Sequence, residues 1–319
     1  MKNNLSNIKK AIKYLNNNHC VAIPTETVYG LAANAYSNRA TKKIFKLKRR
    51  PKNNPLIVHY DSLEKLMNDC EVNELFFKLF KKFSPGPISY VLRLKKNSKI
   101  SKNVTNGKKT LAVRFPSHGI TRNLLKKINY PLAAPSANIS NRISPVTAQD
   151  VFDELGNKVK YILEGGKCKI GLESTIVNLT DKPNILRLGG IPKNKISKFF
   201  NSKEDLIRKS KVITPGMGNS HYSPNIPIRL NISKPKKNEA FLLIQKKNKK
   251  GKNYFYLSKN RNLAEVGKNL YKTLRNIKKK GFASIAVEKI PNHGIGETIN
   301  DRLIRAAKKL WKKLLKLII

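Results

Sequence analysis

The sequence predicts an α/β protein with two domains, and three observations lead to this prediction. Segments with the periodicity of amphipathic helices alternate along the chain with short apolar strands. The 319 residues, 39% of them apolar, exceed the length of one small domain and can fill two cores. A segment rich in proline and glycine, residues 214–227, interrupts the alternation. Alternating elements favour a sheet that is covered by helices on both faces.

The first part of the chain contains the longer series of predicted elements. Helices are expected where apolar residues recur every three or four positions, and strands where short apolar runs end at turn-forming residues. The predicted helices are residues 5–17, Asn38–Lys48, Ser62–Met67, Asn73–Phe83, Ile120–Ile128 and Ala148–Leu155. The predicted strands are Cys20–Pro24, Leu56–His59, Ile88–Leu94, Thr110–Arg114, Leu132–Ala134, Tyr161–Glu164, Ser174–Leu179 and Ile185–Leu188.

A linker and a smaller domain follow. Three prolines and two glycines within residues 214–227 cannot hold a helix or a central strand. The tail then predicts strands near Glu239–Ile244, Asn253–Leu257 and Ala283–Val287, and helices near Ala264–Lys278 and Ile299–Leu315. We therefore expect a first domain over residues 1–208, a linker over 209–227, and a small basic α/β domain over 228–319.

Several classes of protein are disfavoured by what the sequence lacks. No run approaches the roughly 20 apolar residues of a membrane span, and the basic start is not followed by the apolar core of a signal peptide. The three cysteines, Cys20, Cys70 and Cys168, are far apart, which favours a reducing cytoplasm over a disulfide framework. The five histidines and scarce carboxylates form no metal-binding pattern, so no protein metal site is expected.

The net charge of +47 leaves two interpretations open. Such an excess of cations is typical of proteins that bind nucleic acids or other polyanions. However, the 52 lysines far outnumber the 14 arginines, and this bias also arises in every protein of an A/T-rich genome. Positive charge per residue is higher in the tail than in the rest of the chain, with 25 basic and 5 acidic residues over 228–319.

Five segments place polar side chains in tight turns next to apolar strands, where ligands of α/β proteins bind. Each also has a plain structural explanation: a helix cap after Pro24, a solvated basic loop after Lys46, and Ser/Asn-rich connectors further on. The arginine at the end of the strand Thr110–Arg114 requires an anionic partner or a water-filled cleft. The segments are residues 21–31, 46–56, 110–116, 131–145 and 171–177 with Arg187.

Together these segments resemble one family, the YrdC-like threonylcarbamoyl-AMP synthases. The matching stretches are PTETVYGL (24–31), KLKRRPKNNPL (46–56), SPGPISYVL (84–92), RFPSH (114–118), APSANIS (134–140), ESTIV (173–177) and LRLGGI (186–191). The linker PGMGNSHYSP and the tail motif IGETINDR (295–302) resemble the longer, two-domain members, although Asn178 and residues 218–220 depart from the usual pattern. The resemblance implies a twisted, mixed YrdC-like sheet and a Rossmann-like C-terminal domain.

The resemblance also implies the reaction. Members condense L-threonine, bicarbonate and ATP to threonylcarbamoyl-adenylate and pyrophosphate, and other proteins transfer the threonylcarbamoyl group to the tRNA adenosine 3′ of the anticodon. Mg²⁺ is expected on the ATP phosphates, and transferase machinery and tRNA or double-stranded RNA are the expected partners. Because the substrate supplies its own nucleophile, the protein need only align reactants and stabilise charge.

Site residues follow from the matched motifs. The resemblance assigns catalytic contacts with phosphate to Lys48 and Arg50. The ATP side is expected to comprise these two residues with Asn54, Thr110, Ser136, Asn138, Ser144, Arg187 and His221. The threonine and carbamate side is expected to comprise Thr27, His59, Arg114, Ala134 and Ser174. The competing hypothesis is a YrdC-like module that binds double-stranded RNA or tRNA without catalysis.

Overall fold

The computed structural model describes residues 2–200, 222–246 and 251–315, and the first part of the chain is built on one large mixed sheet. Its strands run in the order β10-β9-β5-β6-β3-β7-β2-β1-β8, with β4 paired to β5. The strands are β1 Val21–Ile23, β2 Gly30–Asn34, β3 Ile57–His59, β4 Cys70–Glu71, β5 Ile88–Leu94, β6 Thr110–Arg114, β7 Leu132–Ala133, β8 Tyr161–Ile162, β9 Thr175–Asn178 and β10 Asn184–Arg187.

Helices connect these strands, and short polar side chains cap the starts of several of them. Ser37, Ser62 and Asn73 each accept a hydrogen bond from a backbone amide in the first helical turn. Thr147 and Asp150 form a reciprocal capping box. The helices are α1 Lys2–Asn16, α2 Asn38–Lys48, α3 Leu63–Asp69, α4 Glu74–Phe83, α5 Lys102–Thr105, α6 Gly119–Lys126, α7 Ala148–Leu155 and α8 Lys193–Ser197.

The strand register places the polar strand ends together. β3 and β6 are parallel, so His59 lies opposite Arg114. β5 and β9 are also parallel, and Ile88 lies opposite Thr175. Because side chains alternate between the faces of a strand, one face of the sheet joins the main core and the other carries a small apolar cluster. That cluster consists of Ile57, Val91, Ala112 and Ile176 with Leu186 against it.

The C-terminal part of the chain has a sheet of its own. Four parallel strands run in the order β11-β14-β12-β13. The strands are β11 Ile228–Arg229, β12 Glu239–Gln245, β13 Tyr254–Ser258 and β14 Ser284–Val287, and the helices are α9 Leu263–Lys279 and α10 Ile295–Leu315. Helix α9 packs closely on the first part of the chain, since a Cβ at Gly267 would lie 2.9 Å from Leu172.

The predicted fold class is confirmed: a mixed sheet with helices, and a smaller α/β domain at the C-terminus. The bounds of α2, β5, β6 and α7 agree with the prediction to the residue. Strands β2, β4 and β11 and the short helices α5 and α8 were not predicted. The alternative of a helix cap after Pro24 is wrong, because the strand β2 follows and pairs antiparallel with β1.

No helix among the described residues combines the length and apolarity that crossing a membrane requires.

Candidate active site

A cavity of about 40 Å³ lies at the carboxyl ends of β3 and β6, on the sheet face that carries the small apolar cluster. Eight residues of the predicted site line it, which brings the five sequence segments to one place. These are Thr27, Arg50, His59, Arg114, Ala134, Ser136, Ser174 and Arg187. The rest of the lining is Thr25, Val28, Gly30, Ile57, Pro135, Glu173 and Tyr222.

Arg114 is held in the cavity wall by a carboxylate. Its Nη2 donates to Oε1 of Glu26 at 2.6 Å, and its Nε donates to the carbonyl of Gly86 at 3.4 Å. The other oxygen of Glu26 accepts from the backbone amide of Ser117 at 3.1 Å. Arg114 and Glu26 are both buried, so removing either would leave the other as an unpaired buried charge. The anionic partner that the sequence demanded of Arg114 is therefore a residue of this chain.

The basic segment after Lys46 is not a solvated loop at its two predicted catalytic positions. Lys48 is the last residue of α2 and is buried; its Nζ donates to the carbonyls of Ser136 at 2.5 Å and Asn138 at 2.6 Å. Burial, and then the nearby Arg50, hold the pKa of Lys48 well below its usual value. Lys48 thereby joins α2 to the segment 134–140.

Arg50 is buried and orders the turn that precedes β3. Its Nε donates to the carbonyl of Asn54 at 2.9 Å, and its Nη2 donates to Oδ1 of Asn54 at 2.6 Å and to the carbonyl of Pro55 at 2.7 Å. Burial and repulsion by Arg187 lower its pKa to about 9. Two mutually repelling guanidinium groups therefore face one cavity, and an anion between them would relieve the repulsion.

Arg187 at the end of β10 and Ser174 just before β9 supply a further cation and a hydroxyl, and Ser89 of β5 lies beside them. Arg187 donates from Nε and Nη2 to the carbonyl of Ser174, at 3.1 and 2.8 Å, and from Nη2 to Oγ of Ser174 at 3.1 Å. The Oγ atoms of Ser174 and Ser89 lie 2.8 Å apart. These contacts fix the rotamers of Arg187 and Ser174 before any ligand binds.

Glu173 joins the cavity to the C-terminal domain. Its Oε1 accepts from Oγ of Ser144 at 2.6 Å, and its carboxylate accepts from Oη of Tyr271 at 3.0–3.1 Å. Nε of Arg302 donates to Oε2 at 2.9 Å. Burial alone would raise the pKa of Glu173, but Arg302 and Arg187 outweigh it and lower the pKa to about 2. Glu173 is thus a buried carboxylate anion with cations on two sides.

The remaining predicted residues do not line the cavity. Asn138 is buried and donates to the carbonyls of Ile139 and Arg142. Ser144 is buried behind Glu173, and Asn54 holds Arg50. Thr110 shares a sheet face with Arg114, but it lies about 13 Å further along β6 and lines a separate basic groove. His221 lies outside the described residues.

Four residues of this arrangement were missed as site residues by the sequence. Glu26 and Glu173 stand in the matched motifs, but nothing in the sequence showed that each would pair with a buried arginine. Tyr271 and Arg302 come from the C-terminal domain, about 100 residues or more away from Glu173 in the chain. The sequence offered one signal for Arg302: it stands in the apolar helix pattern of Ile299, Leu303 and Ala306. An arginine in such a pattern requires a partner.

The buried histidine of the cavity predicts a pH dependence of stability. Burial, and then the charge of Arg114, lower the pKa of His59 to about 3. Between pH 6.5 and 5 the unfolded chain therefore binds a proton at this residue and the folded chain does not. The free energy of unfolding therefore falls as the pH decreases through this window, with a slope that approaches roughly 1.4 kcal/mol per pH unit near pH 5. Urea titrations of the wild type and His59→Asn are expected to differ by roughly 2 kcal/mol in this change.

The exposed His293 supplies the control, since His293→Asn is expected to keep the wild-type slope. Equal slopes in wild type and His59→Asn would contradict a neutral His59.

Comparisons with known proteins agree along nearly the whole chain. A family model described as "Telomere recombination" matches residues 13–189, and one described as "Threonylcarbamoyl-AMP synthase, C-terminal domain" matches residues 191–308. The threonylcarbamoyl-AMP synthase of Pyrococcus abyssi is 35% identical over 94% of this chain and 94% of its own length. That of Bacillus subtilis is 34% identical, over 94% of this chain and 92% of its own.

A solved structure gives the same result in three dimensions. The crystal structure of Pyrococcus abyssi Sua5 complexed with L-threonine superposes with a TM-score of 0.86 at 33% identity. The match covers 94% of each chain, and therefore includes both sheets.

Proposed function

The chain belongs to the threonylcarbamoyl-AMP synthase family, and from this premise we propose that the cavity at β3 and β6 is where its reaction takes place. The enzyme condenses L-threonine, bicarbonate and ATP to threonylcarbamoyl-adenylate and pyrophosphate. The observation that carries the proposed site is the convergence of Arg50, Arg114 and Arg187 on one cavity that five hydroxyl-bearing side chains also line. Anionic substrates match such a set of donors.

The reaction requires alignment more than covalent catalysis by the protein. The amine of threonine adds to the carbon of bicarbonate, water leaves, and a carbamate is formed. A carbamate oxygen then attacks the α-phosphorus in line, and the bond to the β-phosphate oxygen breaks to release pyrophosphate. Charge accumulates on the phosphoryl oxygens and on the leaving pyrophosphate, and positioned cations stabilise it.

We assign the phosphates to the side of Arg50 and Arg187. The nucleotide side also includes Ser136, with Lys48 beneath it and Asn54 holding Arg50. Asn138 and Ser144 contribute by shaping this wall. Thr110 lies on the same sheet face beyond the apolar surface of Ile57 and Ala112, and it remains a candidate for a distal contact with the nucleotide. His221 keeps its proposed place on the ATP side.

We assign threonine and its carbamate to the side of Arg114. Glu26 occupies Nη2 of Arg114, so an anionic group of the substrate would bind its outer face. The neutral imidazole of His59 is suited to accept or donate one hydrogen bond, and it is too weak a base to hold a proton taken from an ammonium group. Thr27, Ala134 and Ser174 complete this side.

Mg²⁺ fits this site as a companion of ATP. The two carboxylates that face or adjoin the cavity, Glu26 and Glu173, are each paired with an arginine. Because both carboxylates are already paired, the site suits an ion that is held mainly by phosphate oxygens and water. When bound, this ion would supply positive charge at the triphosphate.

The wider setting follows from the same proposal. The adenylate is passed to transferase machinery that acts on tRNA. The relatives are named as synthases, so they do not favour the alternative of a non-catalytic RNA-binding module. The three cysteines are buried and form no disulfide, which supports a location in the reducing cytoplasm. We keep the division into residues 1–208, the linker 209–227 and the domain 228–319.

One assay tests the proposed function directly. Purified protein should release pyrophosphate from ATP only when both threonine and bicarbonate are present. Replacing threonine by valine, which lacks the hydroxyl group, tests selectivity in the same assay. ATP turnover that ignores threonine and bicarbonate would overturn the proposed function.

A further inference from the structure

The motif IGETINDR lies at the start of α10, and the proposed chemistry does not use it. Two of its side chains nevertheless contact the catalytic domain. Oγ1 of Thr298 donates to the carbonyl of Gly189 at 3.0 Å, and Nη2 of Arg302 donates to the carbonyl of Leu188 at 2.6 Å. Both Thr298 and Arg302 are only 1% exposed. A fully buried arginine is rare unless its charge is paired with that of a carboxylate.

Arg302 contacts two residues of the cavity wall without lining the cavity itself. Its Nε donates to Glu173, and its guanidinium carbon lies 4.7 Å from the centre of the Tyr222 ring. Its Nη1 donates to the neighbouring Asp301 at 2.5 Å. Tyr271, from α9, also contacts both wall residues: it donates to Glu173 and stacks on Tyr222 at 5.9 Å, with 17° between the rings.

Tyr222 is therefore fixed from the C-terminal domain. It is 1% exposed and has a positive φ of 64°, a conformation that costs a residue with a Cβ free energy unless its surroundings hold it. The next residue, Ser223, donates from its amide to the carbonyl of Asn141, beside the segment that carries Ser136. The ring of Tyr222 thus stands between the two domains as part of the cavity wall.

The place of Tyr222 in this wall gives it a function. Tyr222 lines the cavity together with Arg50 and Arg187, the two arginines to which we assigned the phosphates. The position of its ring therefore sets the shape of the cavity on the nucleotide side.

We propose that Arg302 is a positioning residue for the nucleotide, which acts by holding Tyr222 and Glu173 in the wall of the cavity. The C-terminal domain, through Tyr271 and Arg302, would then complete the ATP site of the first domain. This inference rests on the proposed assignment of the cavity to ATP. It is distinct from a merely structural contact between domains, because it requires that Arg302 and Tyr222 affect the same kinetic constant.

A double-mutant cycle separates these possibilities. Arg302→Lys keeps a positive charge but cannot reach Glu173, the carbonyl of Leu188 and the Tyr222 ring together. Tyr222→Leu removes the ring. Each variant is expected to raise KM for ATP about tenfold with kcat changed less than threefold. If Arg302 acts through Tyr222, the double variant is expected to show about the tenfold effect of one change, not their hundredfold product.

The control is Arg305→Lys, on the same helix, since Nε of Arg305 donates to Asp301. It is expected to keep the wild-type KM for ATP. Should Arg302→Lys fail to fold, Tyr271→Phe replaces it in the cycle; it keeps the stacked ring, loses the donor to Glu173, and is expected to raise KM about threefold.

Two results would overturn the inference. One is a wild-type KM for ATP in Arg302→Lys or its replacement. The other is a double variant in which the effects of Arg302→Lys and Tyr222→Leu on KM for ATP multiply. Failure of the proposed function looks different, because the wild-type protein itself would then show no release of pyrophosphate that depends on threonine.

Discussion

Arg114→Lys is expected to lower kcat/KM for threonine roughly 100-fold while KM for ATP changes little. The guanidinium of Arg114 reaches Glu26 and Gly86 from different nitrogen atoms, and it presents its outer face to the cavity. A lysine ammonium is a point charge that cannot make these contacts and bind a substrate anion as well. Losing one charge-assisted contact costs about 1.5–3 kcal/mol, or one to two decades in rate.

The measurement is pyrophosphate release while threonine is varied at saturating ATP. Arg93→Lys is a matched control, since Arg93 lies on the neighbouring strand β5 and is exposed, with Asp181 as its partner. An unchanged threonine titration in Arg114→Lys would assign Arg114 to the support of Glu26 alone.

Arg50→Ala is expected to lower kcat/KM for ATP roughly 100-fold or more. The change removes a cation that faces the cavity and also three hydrogen bonds that order the turn before β3. Loss of the proposed contact with phosphate is expected to cost one to two decades, and the loss of a preordered turn to add to it. Because Arg50 is buried, we also expect a loss of stability, which a typical reserve of 5–15 kcal/mol can absorb.

ATP titrations and a thermal melt separate the two effects of this change. Lys52→Ala, at an exposed position of the same turn, should leave both the titration and the melt unchanged. If Arg50→Ala turned over ATP at the wild-type rate, Arg50 would have no role in binding phosphate.

The burial of Lys48 and Arg50 shows where sequence reasoning was wrong. Two prolines and five cations in residues 46–56 left a solvated basic loop as the plain explanation of this segment. The structure instead buries both side chains: Lys48 donates to carbonyl groups of the segment 134–140, and Arg50 donates to carbonyl groups of its own turn. A charged residue is exposed only when the folded chain offers it no buried acceptors, and for Lys48 these acceptors come from a segment about 90 residues away in the chain.

The sequence by itself determined the fold class, the elements with strong periodicity and the segments that form the site. Helix α2 and strands β5 and β6 follow from local patterns, because their apolar spacing admits one secondary structure. The short strand β2 was missed because small residues such as Ala32 and Ala33 carry little periodicity, and the pairing with β1 decides their conformation.

Only the tertiary structure decided which site residues face the cavity and which hold them. Arg114 received Glu26 as its partner, and Glu173 received Arg302 across the domain boundary. Such pairs join positions far apart in the chain, so no local spacing specifies them. Their physical reason is the cost of burying an unpaired charge, which the folded chain meets by bringing opposite charges together.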